Sequence, residues 1–186
     1  MYDIKEPSDF TPEEFELAVK DVIEQAGVGL SEFSINHLET LEGVDGNYSI
    51  DITARFQALG ANFLVLIECK RYKNPIEREL VQILNDKLHS VGAQKAMLFS
   101  TSKFQSGAIE YASTHGIALV QLVNGESTYH TRAADGVRHK PPPWANIPKY
   151  VGWLLTTEDG KAIKYSSFAK YARELLPSIY KTGYVP

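Results

Sequence analysis

The 186-residue chain has a single cysteine, Cys69, and no apolar run approaching the about 20 residues that a membrane-spanning helix requires. One cysteine excludes an internal disulfide and points to a reducing compartment. The start "MYDIKEPSDF" offers neither a basic opening nor an apolar stretch, so a secretory leader is not expected and the cytoplasm is. There is no Gly-rich phosphate loop ending in Gly-Lys-Ser/Thr, no His-Glu-x-x-His and no Cys-x-x-Cys. The five histidines, His37, His89, His115, His130 and His139, lack ligand spacing and read as ordinary polar residues. Cys69 has no adjacent base to make it a nucleophile. An excess of positive charge is also missing: the net charge is −4, which does not advertise a nucleic-acid binder.

The distribution of charge says more than its sum. Residues 1–131 hold 10 Lys and Arg against 19 Asp and Glu, whereas residues 132–186 hold 9 against 4. An acidic body therefore carries a basic tail. That asymmetry fits either solvated faces of unlike composition or an appendage that meets a polyanion or a protein partner.

With 44% hydrophobic and 23% charged residues, the chain should build a packed core. "TPEEFELAVKDVIEQAG" predicts a helix with Thr11 as N-cap, Pro12 in the first turn and Gly27 as its stop. Phe15, Val19, Val22, Ile23 and Ala26 share one face. "EFSINHLETLEG" and "NYSIDITARF" alternate apolar and polar residues around a "VDGN" turn, and "NFLVLIECK" makes a third strand. "NPIERELVQILNDKLHSVG" has helical spacing at Ile76, Leu80, Ile83, Leu84, Leu88 and Val91. The strand "QKAMLFST", the helix "KFQSGAIEYASTHG" and the strand "IALVQLV" follow. The alternation of strand and helix favours a partly parallel sheet with helices packed on it. Ser100, Thr101 and Ser102 read as a cap for the following helix.

"VRHKPPPWANIP" is the best candidate for a connection. The expected organisation is a main domain over residues 1–123, a Pro-rich connection over 124–148 and a small basic extension over 149–186. That extension should hold a hairpin around "EDGK" and a helix bearing Phe168, Tyr171, Ala172 and Leu175 on one side. About 40 residues is too little for an independent core, so the extension should dock on the body or on a partner. Trp144, Tyr150 and Trp153 read as packing residues of that tail rather than as platforms for bases.

"FLVLIECKRYKNP" carries the chemistry. Five apolar residues mark a strand buried on both faces, yet it ends on Glu68 and Lys70, whose side chains emerge on one face. The preceding strand carries Asp51 within "YSIDIT", with Ile50 and Ile52 expected on the opposite face. If the strands are neighbours, Asp51 and Glu68 converge, and two carboxylates at one point suit Mg²⁺, which keeps several waters and meets phosphate oxygens. A lysine beside that ion can hold an attacking water and offset developing negative charge. The alternative is an end-of-strand ion pair worth about 0–1 kcal/mol.

Asp51, sixteen intervening residues and then Glu68-Cys69-Lys70 resembles the Asp…(Asp/Glu)-x-Lys signature of the restriction-endonuclease-like nucleases. Residues 11–123 resemble more narrowly the Mrr-type restriction endonuclease domain. Phe15-Glu16 on the first helix, "IDI" in the second strand, "ECKRYKNPI" and "LFSTSKFQSGAIEYASTHGIALV" carry the likeness. The family usually shows a tighter Asp-Gly-Gly-Ile-Asp approach, where this chain has the longer "DGNYSID".

The resemblance implies an α/β fold, a mixed central sheet flanked by helices with a short C-terminal extension. It implies Asp51, Glu68 and the Cys69 carbonyl as metal ligands, Lys70 as the catalytic lysine, and Glu16 near the metal, directly or through water. Gln82 falls where the next helix of such enzymes supplies a polar side chain. Arg71, Lys73 and Arg78 are candidates for gripping the phosphate backbone. The implied activity is Mg²⁺-dependent hydrolysis of DNA, with Mn²⁺ as a substitute, by a homodimer or larger assembly acting in prokaryotic defence. A degenerate docking module, or a nuclease for branched DNA or RNA, is the alternative.

Overall fold

The computed structural model describes residues 5–125, 148–158 and 161–166. Helix α1 (Pro12–Ala26) starts as the sequence predicts. Thr11 Oγ1 accepts the Glu14 N–H at 3.2 Å, while Glu14 Oε2 accepts the Thr11 N–H at 2.6 Å. Such reciprocal capping is worth about 1 kcal/mol. At the other end the Gly27 N–H bonds to the Ile23 carbonyl, and the face Phe15, Ala18, Val19, Val22 and Ile23 is buried.

Strands β1 (Ser31–Glu42), β2 (Asn47–Ala58) and β3 (Ala61–Lys70) form an antiparallel meander. Helix α2 (Arg78–Val91) then crosses over to β4 (Lys95–Ser100), and α3 (Ser106–His115) crosses to β5 (Ala118–Asn124). Both crossovers yield parallel pairs, β3 with β4 and β4 with β5, because a parallel connection needs an element long enough to return the chain. Strands β6 (Tyr150–Glu158) and β7 (Lys161–Ser166) complete a seven-stranded mixed sheet in sequential order.

Each face of the sheet has its own core. Against α1 lie Ile52, Ile67, Cys69, Phe99 and Val120, and against α2 and α3 lie Ile50, Leu66, Leu98 and Leu119. Burying each such side chain contributes about 1.5–3 kcal/mol. β3 feeds both cores with alternate residues, as its continuous apolar run predicts. Cys69 accordingly points away from the face of Glu68 and Lys70.

The hairpin tip between β1 and β2 is tied to the end of α2. The Val44 N–H donates to the Ser90 carbonyl at 3.0 Å, and Ser90 and Tyr48 both donate to Asp45 Oδ1. Gly43 sits in this knot with no room for a side chain. A Cβ there would stand 2.5 Å from Ser90 Oγ and 2.8 Å from the Tyr48 ring.

Three local expectations are corrected. Helix α2 begins only at Arg78, and Ile76 precedes it in a bridge with Phe104. Within α2 the buried face is Val81 and Leu84, while Ile83 is 49% exposed. The rest of the expected stripe holds, since Ile76 is fully buried in this core and Leu80, Leu88 and Val91 pack against it; Val81 takes the inward place expected of Ile83. Ser100, Thr101 and Ser102 do not cap α3, whose N-cap is Gln105. Thr101 and Ser102 instead donate to the Tyr72 and Asn74 carbonyls, at 3.0 and 2.8 Å, fastening the loop after β3.

The hairpin predicted around "EDGK" is present, with Glu158 paired to Lys161. It docks on the body, since β6 pairs with β5 and Tyr150 packs edge-on against Phe10. Trp153 lies in β6 opposite Gln121. Trp144, the Pro-rich connection and the helix expected at Phe168–Leu175 lie outside the described residues.

Candidate active site

The β2–β3 ladder runs from Ala58↔Ala61 to Ile52↔Ile67 and stops. One residue further, Asp51 Oδ2 accepts the Cys69 N–H at 2.7 Å, so a carboxylate does what a strand carbonyl would have done. Beyond this point β3 is held by β4 through Cys69↔Phe99 and Lys70↔Ser100. The strands part where the Asp and the Glu-x-Lys pair stand, which opens the sheet without loosening β3.

The expectation that Ile50 and Ile52 share the face opposite Asp51 is corrected here. Ile52 belongs to the α1 core and Ile50 to the α2–α3 core. β2 changes face between them. On the neighbouring strand Leu38 takes a left-handed φ of 54° between the pairs His37↔Ile52 and Glu39↔Ile50. For a leucine that conformation costs about 1–2 kcal/mol.

Glu68 is 5% exposed, and both its oxygens are engaged. Lys70 Nζ donates to Oε2 at 2.8 Å and Lys87 Nζ donates to Oε1 at 2.6 Å. A carboxylate this buried persists as an anion only when paired in this manner. Lys87 reaches in from α2 and also donates to the Ser49 carbonyl at 3.3 Å.

Burial disfavours the Lys70 ammonium, but the charge and hydrogen bond of Glu68, aided by Asp51, more than offset it and hold Lys70 above the ordinary lysine range. Burial and the Glu68 charge, with a smaller push from Glu16, raise the Asp51 carboxyl, against the lowering effect of the Cys69 N–H and Lys70. Burial, then the Asp51 and Glu16 charges, push the Cys69 thiol well above its usual value. Cys69 is thus a core residue and not a nucleophile.

Glu16 on α1 lies close enough for its charge to act on Asp51 and Cys69, and its Oε2 is 2.7 Å from His37 Nε2. Gln82 does not join this group. It is exposed, and it lies five residues from Lys87 on α2, about 140° around the helix. Arg71 and Lys73 are exposed in the loop after β3, and the Arg78 guanidinium sits 5.0 Å from the centre of the Tyr111 ring. His89 and His115 bond to carbonyls four residues back in their helices, as ordinary polar residues do.

Two residues escaped the sequence reading. Lys87 follows buried Leu84 by three positions, so an ammonium stands within the apolar stripe of α2. His37 occupies the inward set of β1 with Phe33 and Ile35, not an ordinary surface position. A polar residue breaking an apolar period was the signal in both.

Among the described residues no three His, Cys, Asp or Glu side chains gather as a ready-made metal cluster. The donors do fit a hydrated hard dication, which needs one or two carboxylates and brings its own waters. Asp51 Oδ1 has no hydrogen-bond partner among the described residues, and the crowding of negative charge that raises the Asp51 carboxyl is what a cation would relieve.

A mixed sheet whose central strands part at an Asp and a Glu-x-Lys pair, with α1 on one face and α2 and α3 on the other, has the restriction-endonuclease-like architecture. Residues 7–127 match the restriction endonuclease family defined by the Mrr catalytic domain, and the chain belongs to that family of nucleases. It is 30% identical over 123 residues to the type IV methyl-directed restriction enzyme EcoKMrr of Escherichia coli strain K12. That alignment covers 64% of this chain and 37% of the enzyme. The crystal structure of a protein of unknown function, AF1548, is similar with a TM-score of 0.47 and 21% identity, over 57% of this chain and 55% of that one. No helix among the described residues is long and apolar enough to cross a membrane.

Proposed function

We propose that this domain is an endonuclease that hydrolyses DNA phosphodiester bonds with Mg²⁺, or Mn²⁺ in its place, in the restriction of foreign or modified DNA. The observation that carries the reading is the convergence of Asp51, Glu68 and Lys70 where β2 and β3 part. Asp51, Glu68 and the Cys69 carbonyl would hold the ion, with Glu16 contributing through water. A bound Mg²⁺ supplies Lewis-acid stabilisation of charge on the phosphate and the leaving oxygen.

Lys70 is held as an ammonium by Glu68, so its part is to donate. It orients the attacking water in line with the scissile bond and stabilises the charge that develops there. A 5′-phosphate product follows from the family's chemistry. Arg71 and Lys73, exposed beside the site, would meet the phosphate backbone, as would Arg78 at the start of α2. Gln82, exposed on α2, would touch the bound strand rather than the metal. Cutting both strands from one site per chain calls for a homodimer or larger assembly. The basic segment 149–186 is the candidate surface for a protein partner.

Incubation of supercoiled plasmid, methylated and unmethylated, with Mg²⁺ or Mn²⁺ tests the reading. Nicked and linear products that disappear with EDTA are expected. If folded protein leaves plasmid intact at low salt but cuts branched DNA or RNA, the substrate assignment is wrong. If it cuts nothing, the domain is a docking module.

A further inference from the structure

The two lysines on Glu68 are not equivalent. Lys70 is two residues away on the same strand, in a ladder that β4 holds in place. Lys87 arrives from a separate element, α2, on a long side chain, and its second contact, to the Ser49 carbonyl, is a long 3.3 Å. Between them they engage both oxygens of a carboxylate that is otherwise buried. A dication bound to Glu68 would face two ammonium groups at hydrogen-bond distance from the same carboxylate. Repulsion at that range in a low-dielectric site is large, and the group free to leave is Lys87.

We infer that Lys87 is an internal counter-ion that competes with the divalent cation for Glu68 and gives way when a DNA phosphate offers it another anion. This rests on the nuclease reading and adds to it a reason for metal and DNA to bind together. With DNA absent, the ammonium neutralises the buried carboxylate and keeps the metal site weak. With DNA present, Lys87 moves to a phosphate oxygen near the cut, and the same displacement opens Glu68. By linkage, metal must then tighten DNA binding by the same factor that DNA tightens metal binding.

The experiment is titration of the full chain with Mn²⁺ alone, by calorimetry or by loss of the free-ion paramagnetic resonance signal, for wild type, Lys87→Met and Lys87→Arg. Methionine keeps the length and helix propensity of the side chain without its charge. Thermal unfolding confirms that each variant is folded. Lys87→Met is expected to bind Mn²⁺ about tenfold or more tightly than wild type, within the about 5–150-fold range of ordinary couplings. Lys87→Arg should stay weak. Adding a phosphorothioate duplex that resists hydrolysis should tighten Mn²⁺ binding to wild type and leave Lys87→Met nearly unchanged. Glu68→Gln identifies the site being read. Equal Glu68-dependent binding by wild type and Lys87→Met would overturn the competition while leaving the nuclease reading intact. Absence of any Glu68-dependent binding in both would overturn the two together.

Discussion

Asp51 takes the backbone N–H of Cys69 at 2.7 Å, one residue past the last rung between β2 and β3. The same carboxylate therefore terminates a ladder and keeps its other oxygen without a hydrogen-bond partner among the described residues. Its structural and chemical parts can be separated. Asp51→Ala leaves the Cys69 N–H without its acceptor and should cost about 1–3 kcal/mol in urea unfolding, besides abolishing cleavage. Asp51→Asn keeps an acceptor oxygen and should lose cleavage without that destabilisation. Equal destabilisation by the two variants would contradict the bond.

The pH dependence follows from the directions of two shifts. Burial and Glu68 raise the Asp51 carboxyl in the folded protein, so its contribution to stability is present below the unfolded value and lost as pH rises through the folded one. Metal-free Asp51→Asn should therefore be more stable than wild type at neutral pH and lose that advantage in acid. Lys70 is also raised, so its contribution holds through neutral pH and is lost only in alkali, as pH climbs through its folded value. Melting temperatures measured across pH check both signs.

Glu16 acts on Asp51 through charge and is itself held by His37. Glu16→Gln should lower the Asp51 titration, read by carboxyl carbon NMR, and should slow cleavage about tenfold, the scale of a residue that supports a metal site from outside it. An unchanged Asp51 titration would remove Glu16 from the site.

Gly43 is required by space, since a Cβ would meet Ser90 Oγ and the Tyr48 ring. Gly43→Ala should cost about 1–3 kcal/mol by overpacking the knot that ties the β1–β2 hairpin to α2. Equilibrium unfolding measures it, and a neutral outcome would mean that the hairpin tip gives way freely.

How far the sequence could be read depended on the range of each interaction. Thr11, Pro12, Glu14 and Gly27 act within one helix, so α1 was legible to the residue. The buried run to Glu68-x-Lys70 was legible because a strand has a fixed period. Ile50 and Ile52 were not, because strict alternation assumes an unbroken strand and β2 changes face between them, at the level where Leu38 of β1 takes a left-handed conformation. Nor was the partnership of Lys87 with Glu68, 19 residues apart, since it exists only once α2 has folded back over β3. The domain's outline came from periodicity and its reactive pair from chemistry. The residues around that pair required the packing.

The most direct measurement is plasmid cleavage by Lys70→Met at metal concentrations that saturate the wild type, with folding confirmed by thermal unfolding. Lys70 donates to Glu68 at 2.8 Å, and the charges of Glu68 and Asp51 maintain its ammonium despite burial. Cleavage is expected to fall by about 10²–10³-fold or more, the scale for losing a group that stabilises transition-state charge. Cleavage at the wild-type rate by folded Lys70→Met would contradict it and place the chemistry elsewhere on the chain.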